Sequence, residues 1–228
     1  MPLQLYELAA AERDRRFSPY CWRIRLALAH KQLDFDPVPI RFTDKVQIAF
    51  SGQGRVPVLV DGDEKVVDSW AIAEYLERTY PDQPTLFSDA QAKAYAFFIK
   101  SWDESILVPA LFPLIIWDIF NRIAPEDQAY FRETREKMLG KPLESFANPS
   151  DEKVEAFRAI LKPLRQTLAH QPFLAGDAPA FADHIVMGRL QIARCMSSLP
   201  LLANNDPILA WRDRLLTQYE SCTQTLAA

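Results

Sequence analysis

Hydrophobic side chains recur at two different periods in the first 80 residues. Residues 3–8 alternate between apolar and polar side chains, which is typical of a half-buried strand. Ser18 and Pro19 form an N-cap and first-turn pair, and apolar positions then recur every three or four residues, so we predict a helix to about Lys31. The same patterns predict a strand at 34–40, a short helix within 44–51, strands at 56–60 and 65–68, and an amphipathic helix that Ser69 caps. The predicted order is β-α-β-α-β-β-α.

Prolines divide the chain further. Pro37 and Pro39 cannot donate to a sheet ladder, so we predict that strand 34–40 lies at a sheet edge. The segment 81–84, Pro-Asp-Gln-Pro, is followed by a region without strand patterns. In that region we predict helices at about 89–122, 125–139, 151–169, 182–198 and 205–218. The fold class is therefore α/β plus all-α, with an α/β domain at 1–80, a linker at 81–88 and an all-helical domain at 89–228.

The composition is that of an ordinary globular protein, with 228 residues of which 49% are hydrophobic. The net charge is -4 and acids and bases are interspersed, so we expect neither nucleic acid nor a membrane surface as a partner. The N-terminus lacks the pattern of a secretory signal, which favours a cytoplasmic location. The longest apolar run, 106–117, is shorter than the roughly 20 residues needed to span a bilayer. Pro109 and Pro113 should kink or interrupt the helix there and open space for a ligand.

The sequence gives little support for a metal site or a disulfide framework. The three cysteines are odd in number and far apart, which fits neither a disulfide framework nor a zinc site. The three histidines are scattered and lack the spacing of a metal-binding helix. We expect reduced thiols and no metal.

The stretch Phe17-Ser18-Pro19-Tyr20-Cys21 resembles the redox turn of a thioredoxin-like domain in which serine replaces the first cysteine. A serine cannot carry the redox chemistry, yet its hydroxyl can donate a hydrogen bond to the thiolate of a bound cofactor at the positive end of a helix. Two plainer interpretations remain open. Ser18 is a good helix cap in any context, and Cys21 has no partner cysteine and is expected to pack as a structural residue.

Two further motifs lie at predicted strand ends. Pro57 is either a plain strand-entry residue or a cis-proline, and the cis isomer would expose the Val56 backbone to an extended peptide ligand. Asp68 and Ser69 lie where a strand meets a helix, so the helix start could bind a carboxylate while Asp68 holds an ammonium group. Capping alone is the alternative interpretation of this pair.

Together with the element order and the all-helical second domain, these motifs resemble a cytosolic glutathione transferase over nearly the whole chain. Residues 17–23 and 26–31 look most like the bacterial glutathione-dependent β-etherases and their fungal relatives. The resemblance implies that Ser18 hydrogen-bonds the glutathione sulfur and that Val56, before a cis-Pro57, pairs with the cysteinyl backbone. It also implies that Asp68 and Ser69 bind the γ-glutamyl end, that 1–80 is a thioredoxin-like glutathione-binding domain, and that the protein is a homodimer.

Other roles stay open within this resemblance. The glycyl carboxylate could meet Lys45, Gln53 or Arg55, and we favour Arg55. Tyr6, at the end of the first strand, is a second candidate for the activating hydroxyl. The chain departs from the family at Asp68, where a longer glutamate or glutamine is usual, and at Ala180, where the usual capping hydroxyl of a helix is absent.

A hydrophobic electrophile should bind between the domains, against aromatic walls. The expected lining residues are Tyr20, Trp22, Phe112, Ile116, Trp117 and Phe120. Because three of these recur every four residues, a buried helix face explains them equally well.

The function that the sequence favours is a glutathione transferase in which the glutathione thiolate attacks an aromatic electrophile, by conjugation or β-aryl ether cleavage. Glutathione is then a cosubstrate. The alternatives are a glutaredoxin-like thiol-disulfide reductase that uses Cys21, and a non-catalytic protein that binds glutathione or a hydrophobic ligand.

Overall fold

The structure, a computed structural model, describes residues 2–223. The first part of the chain has the predicted element order, with a 3₁₀ helix as its second helix. The elements are β1 (Leu3–Leu8), α1 (Pro19–His30), β2 (Phe35–Ile40), the 3₁₀ helix (Lys45–Ser51), β3 (Val58–Asp61), β4 (Glu64–Val67) and α2 (Ser69–Thr79).

Within the described residues, these strands form a mixed sheet in the order β2-β1-β3-β4. β2 runs parallel to β1, whereas β3 is antiparallel to both β1 and β4. β2 lies at an edge, as its prolines predict. The parallel pair joined through α1 and the antiparallel hairpin make this a thioredoxin-like domain, and the predicted fold class is confirmed.

The rest of the described chain is helical. In chain order it contains α3 (Ala90–Trp102), a π-helical turn (Asp103–Leu107), α4 (Val108–Arg122), α5 (Pro125–Leu139), α6 (Leu143–Phe146), α7 (Asp151–Ile160), α8 (Lys162–Leu168), α9 (Phe181–Met196), α10 (Pro207–Gln218) and α11 (Glu220–Thr223). The helix predicted at 151–169 is divided into α7 and α8 near Leu161. None of the helices in residues 2–223 has the length and apolarity to cross a bilayer.

The prolines of α4 mark an irregular helix, as predicted. The π-helical turn Asp103–Leu107 directly precedes Pro109, and Pro113 lies inside α4. Since proline has no N–H, each removes one bond of the helical ladder.

The predicted domains 1–80 and 89–228 include six residues, Met1 and 224–228, that lie outside the described residues. The predicted linker 81–88 lies between α2 and α3, in a stretch that forms neither helix nor strand.

The two halves of the chain meet where α1 packs on α9, whose side chains are almost all buried. Gly188 of α9 faces the start of α1 so closely that a Cβ there would lie 2.5 Å from the Pro19 carbonyl oxygen. This contact fixes the position of the first turn of α1, directly beside Ser18.

Asp183 organises the start of α9. Its carboxylate accepts hydrogen bonds from the backbone N–H groups of Leu174 (2.7 Å) and Ala180 (3.2 Å) and from Nε1 of Trp211 (2.8 Å). Ala180 is the N-cap and has no capping side chain, so Asp183 supplies half of the usual capping box.

Candidate functional site

Strand register brings the motifs at Ser18, Val56–Pro57 and Asp68–Ser69 to one edge of the sheet. This edge runs across the strands, where β1 and β4 end and β3 begins, and differs from the lateral edge that β2 forms. Val58, the first residue of β3, lies opposite both Tyr6 of β1 and Val67 of β4. Residues 56–57 directly precede β3, and residues 68–69 directly follow β4, so they lie at the same edge. β1 ends at this edge as well, because it runs antiparallel to β3.

The start of α1 is held at this edge by backbone bonds. Phe17 donates its N–H to the carbonyl of Leu8, the last residue of β1 (3.4 Å). Ser18 follows as the N-cap of α1, and its Oγ accepts a hydrogen bond from the Cys21 N–H (3.4 Å). Since a hydroxyl that accepts one bond keeps its proton, Ser18 can still donate outward.

Cys21 lies fully buried one turn inside α1. Burial raises the pKa of its thiol to about 12, and the negative charge of Glu7 acts in the same direction. Such a thiol is protonated at neutral pH and is a poor nucleophile. Cys21 is thus a structural residue here, which argues against a reductase that depends on it.

The Val56–Pro57 peptide bond is cis, the isomer that the sequence left open. Upstream of it, the side-chain carbonyl of Gln53 accepts the backbone N–H of Arg55 (2.9 Å), so this amide holds the turn together. Arg55 itself is exposed. Lys45 is also exposed, and its Nζ lies 4.3 Å from the ring centre of Tyr130.

Asp68, rather than Ser69, caps α2, which corrects the sequence prediction. Asp68 Oδ1 accepts the N–H groups of Trp70 (2.9 Å) and Ala71 (3.1 Å), and Ser69 is the buried first residue of the helix. The physical reason is the backbone of Asp68, whose φ of 73° keeps it outside the helix. A non-glycine residue in this region costs about 1–3 kcal/mol, and such outliers concentrate at functional sites.

Tyr6 lies on the opposite face of the sheet from Leu5, because side chains alternate along a strand. Its ring packs edge-on against Phe50 of the 3₁₀ helix, with 5.3 Å between ring centres. This packing assigns Tyr6 to the small hydrophobic cluster around Ile48 and Val58.

The residues expected to line an electrophile pocket divide into two groups. Trp22 and Ile116 are fully buried, and Trp22 Nε1 donates to the Arg16 carbonyl (3.0 Å). This corrects the expectation for both, because they belong to the inward faces of α1 and α4. On α4 the accessible group consists of Phe112 and Phe120, both half-buried, and Trp117, which is 36% exposed and stacks on Phe120 with 5.2 Å between ring centres.

Tyr20, the remaining expected pocket residue, is half-buried beside two arginines. The guanidinium carbons of Arg23 and Arg189 lie 4.7 and 5.6 Å from its ring centre. Both arginines pair with Asp103 of the π-helical turn, which is buried. Sequence reasoning missed this ion cluster, since no short-range pattern links its members.

Sequence reasoning also missed a contact between the domains through α5. The buried Asp127 carboxylate accepts the backbone N–H groups of Phe42 (3.2 Å) and Thr43 (3.0 Å) and the Thr43 hydroxyl (2.8 Å). Asp127 lies in the first turn of α5, where an acidic side chain is favourable in any helix, so no local pattern marks this contact. No group of three or more His, Cys, Asp or Glu side chains in residues 2–223 could hold a metal.

A thioredoxin-like domain with a serine at the start of its first helix, a cis-proline before β3 and an all-helical second domain together define a class of two-domain proteins built on the thioredoxin fold. Family models for the glutathione S-transferase N-terminal and C-terminal domains match residues 14–84 and 94–219. The chain belongs to the glutathione S-transferase family.

Curated relatives cover parts of this chain. A zeta-class glutathione S-transferase from Euphorbia esula is 31% identical over 112 residues, 47% of this chain and 50% of that protein. A maleylacetoacetate isomerase from Mus musculus is 31% identical over 170 residues, 71% of this chain and 68% of that protein. The match to glutathione S-transferase Z1 of Arabidopsis thaliana spans only 35% of that protein's length.

Solved structures match the whole fold. A glutathione transferase from Phanerochaete chrysosporium superposes with a TM-score of 0.83 at 26% identity, over 96% of this chain and 97% of that one. A glutathione S-transferase of Ceriporiopsis subvermispora, crystallised in complex with glutathione, has a TM-score of 0.83 at 24% identity, with all of both chains covered.

Proposed function

We propose that this protein is a glutathione transferase in which the Ser18 hydroxyl stabilises the glutathione thiolate for attack on a hydrophobic, aromatic electrophile. The observation that carries the proposal is the position of Ser18, which caps α1 at the sheet edge shared with cis-Pro57 and Asp68. The helix end and the hydroxyl both favour a negative sulfur there.

Glutathione binding would use the rest of that edge. Val56 pairs through its backbone with the cysteinyl residue, Asp68 holds the γ-glutamyl ammonium with Oδ2, and the start of α2 at Ser69 receives the carboxylate. Asp68 Oδ1 is already engaged with the helix, whereas no described residue bonds Oδ2, which supports this division. The protein from Ceriporiopsis subvermispora that shares this fold was crystallised with glutathione, which supports glutathione as the ligand.

The glycyl carboxylate would bind Arg55. Gln53 is the weakest of the three candidates because its amide is occupied by the Arg55 backbone. Lys45 is exposed and carries no carboxylate partner within residues 2–223, so it can assist Arg55.

The reaction would be nucleophilic substitution. The sulfur forms a bond to the electrophilic carbon, and the leaving group departs with the electron pair of its own bond. With an aryl halide the leaving group is a halide. With a β-aryl ether, the reaction of the etherases that residues 17–31 resemble, it is an aryloxide that then takes up a proton. Tyr20, Phe112, Trp117 and Phe120 would contact the aromatic ring.

A cytoplasmic homodimer is part of the same proposal. Phe97 and Phe98 of α3 are 50% and 66% exposed, and adjacent exposed aromatic side chains favour a protein interface. Sedimentation equilibrium tests this directly: a monomer at micromolar concentration would contradict the homodimer and leave the catalytic proposal standing.

The proposal is tested with purified protein, glutathione and three substrates: an aryl halide, a β-aryl ether and a mixed disulfide. Ser18→Ala should lower kcat/KM for the halide or ether about 10- to 100-fold, the value of one charge-assisted hydrogen bond. Tyr6→Phe is the matched control. We expect it to retain activity because Tyr6 packs on the sheet face opposite Leu5, in the cluster around Ile48 and Val58.

Three outcomes would contradict parts of this account. Wild-type rates in Ser18→Ala would remove Ser18 from catalysis. Disulfide reduction that Cys21→Ala abolishes would favour the reductase. Glutathione binding without turnover of any electrophile would favour a non-catalytic binding protein.

A further inference from the structure

Arg135 of α5 is a half-buried cation without an anionic partner. Its guanidinium carbon lies 4.9 Å from the ring centre of Phe42 and 4.7 Å from that of Phe131. Its Nη1 donates to the Thr134 hydroxyl (2.9 Å), and no aspartate or glutamate in residues 2–223 pairs with it. Burial lowers the pKa of Arg135, and the positive charge of Arg55 acts in the same direction. Among the described residues, this guanidinium is therefore met by two phenyl rings and a hydroxyl and by no carboxylate.

Two other arginines on or beside α5 are paired with carboxylates, whereas Arg135 is not. Arg132, one turn earlier, pairs with Glu136 (2.9 Å) and Glu144 (2.9 Å). Arg41 pairs with Glu126 (3.2 Å).

The carboxylate of Asp127, in the first turn of α5, is also engaged. Asp127 is buried, and its oxygens accept the N–H groups of Phe42 and Thr43 and the Thr43 hydroxyl. Lys45 and Arg55, the candidates for the glycyl carboxylate, likewise have no carboxylate partner in residues 2–223.

Ring contacts connect Arg135 to both parts of the proposed active site. Phe42, on which Arg135 stacks, also contacts Phe17, the residue before Ser18, with 6.0 Å between ring centres. Phe131, on the other side of Arg135, contacts Phe120 of the proposed aromatic wall at 6.4 Å. Arg135 thus lies between the candidate thiol-activating residue and the surface that would hold an aryl ring.

We propose that Arg135 is the anion-binding residue of the second-substrate site and that the preferred electrophile is an aromatic compound bearing a carboxylate. This inference rests on the proposed transferase function. The two phenyl rings fix the guanidinium plane, so its remaining donors form a preorganised fork for a carboxylate. The two carboxylates of glutathione have partners elsewhere, since the glycyl carboxylate has Arg55 and Lys45 available and the γ-glutamyl carboxylate has the start of α2.

The first experiment measures binding without chemistry. Calorimetry in the presence of glutathione compares 3,5-dinitrobenzoate with methyl 3,5-dinitrobenzoate, which has the same ring and no charge. We expect the wild-type protein to bind the carboxylate more tightly, and Arg135→Gln to weaken its binding about 10- to 100-fold, as for the loss of a charge-assisted bond. Arg135→Lys should recover part of the loss. Arg212→Gln on α10 is the control, and it should leave the preference for the carboxylate unchanged because Arg212 is already paired with Asp213 (2.7 Å).

The second experiment adds turnover with 4-chloro-3,5-dinitrobenzoate and its methyl ester. In both, the sulfur bonds to the carbon that bears chlorine and chloride leaves with the bonding electrons, so the carboxylate is not consumed. We compare kcat/KM for the acid with kcat/KM for the ester after correction for uncatalysed rates. Arg135→Gln should lower this acid-to-ester ratio, chiefly by raising the KM of the acid.

Each outcome decides the inference. Equal binding of acid and ester by the wild-type protein would overturn it. So would an Arg135→Gln variant that raises the KM of glutathione and leaves the acid-to-ester ratio intact, since Arg135 would then hold the glycyl carboxylate. Arg135-dependent binding of the acid without turnover of the acid or the ester would support the anion site and contradict the transferase function.

Discussion

Replacing Gly188 by alanine tests how α9 positions the candidate thiol-activating turn. An alanine Cβ at this position would lie 2.5 Å from the Pro19 carbonyl oxygen and 3.3 Å from Cγ of Arg23. A carbon and a carbonyl oxygen normally stay about 3.3 Å or more apart, so α1 and α9 must separate by roughly 0.8 Å. The obstacle is a backbone atom and cannot rotate away.

Two opposing effects determine the change in stability. Alanine in a helix interior is favoured over glycine by about 1 kcal/mol. Overpacking of a well-packed interface costs about 1–3 kcal/mol. The difference between the two effects is a loss of about 0–2 kcal/mol in the free energy of unfolding for Gly188→Ala. We also expect a lower kcat, because the displaced carbonyl adjoins Ser18.

Urea unfolding, followed by circular dichroism, and steady-state turnover of an aryl halide measure the two effects. Ala129→Gly, at an exposed position of α5, is the control for helix propensity and should cost about 1 kcal/mol with little change in kcat. A Gly188→Ala protein that is more stable than wild type by about 1 kcal/mol, the full gain in helix propensity, would refute the close packing of α1 on α9.

Other predictions concern buried groups. The Cys21 thiol, with its pKa near 12, should react with iodoacetamide at pH 8 only after unfolding; fast labelling of the native protein would contradict its burial. Burial, followed by the charge of His30, holds the pKa of His184 well below 6.5, so below pH 6.5 the unfolded state binds a proton that the folded state does not. The free energy of unfolding should then fall by about 1.4 kcal/mol per pH unit toward pH 5 through this histidine, and His184→Gln should flatten that slope. Asp183→Ala leaves the N–H groups of Leu174 and Ala180 and Nε1 of Trp211 without their acceptor, and a loss of about 3–5 kcal/mol in urea titrations is expected; a loss below about 1 kcal/mol would contradict its role.

The sequence predicted the fold well because strand and helix periods are local properties. The prolines of β2 predicted its edge position, and Pro125 predicted the start of α5. The prediction that Ser69 caps α2 was wrong because serine and aspartate are equally good caps. Only the backbone angle of Asp68 distinguishes the two residues.

The buried residues of a helix were harder to predict than the presence of the helix. An apolar residue that faces the core and one that faces a cleft share the same period, so Trp22 and Ile116 could not be separated from Trp117. The contact of Phe42 with Arg135 joins residues far apart in sequence and has no local pattern at all.

The pKa of the thiol of bound glutathione tests the central role of Ser18 most directly. It can be followed by the ultraviolet absorbance of the thiolate as a function of pH in the binary complex, for wild type, Ser18→Ala and Tyr6→Phe. The pKa of a free cysteine thiol is about 8.5. We predict a lower pKa in wild type and Tyr6→Phe and a return toward the free value in Ser18→Ala. An unshifted pKa in wild type, or the same lowered pKa in Ser18→Ala, would contradict this account.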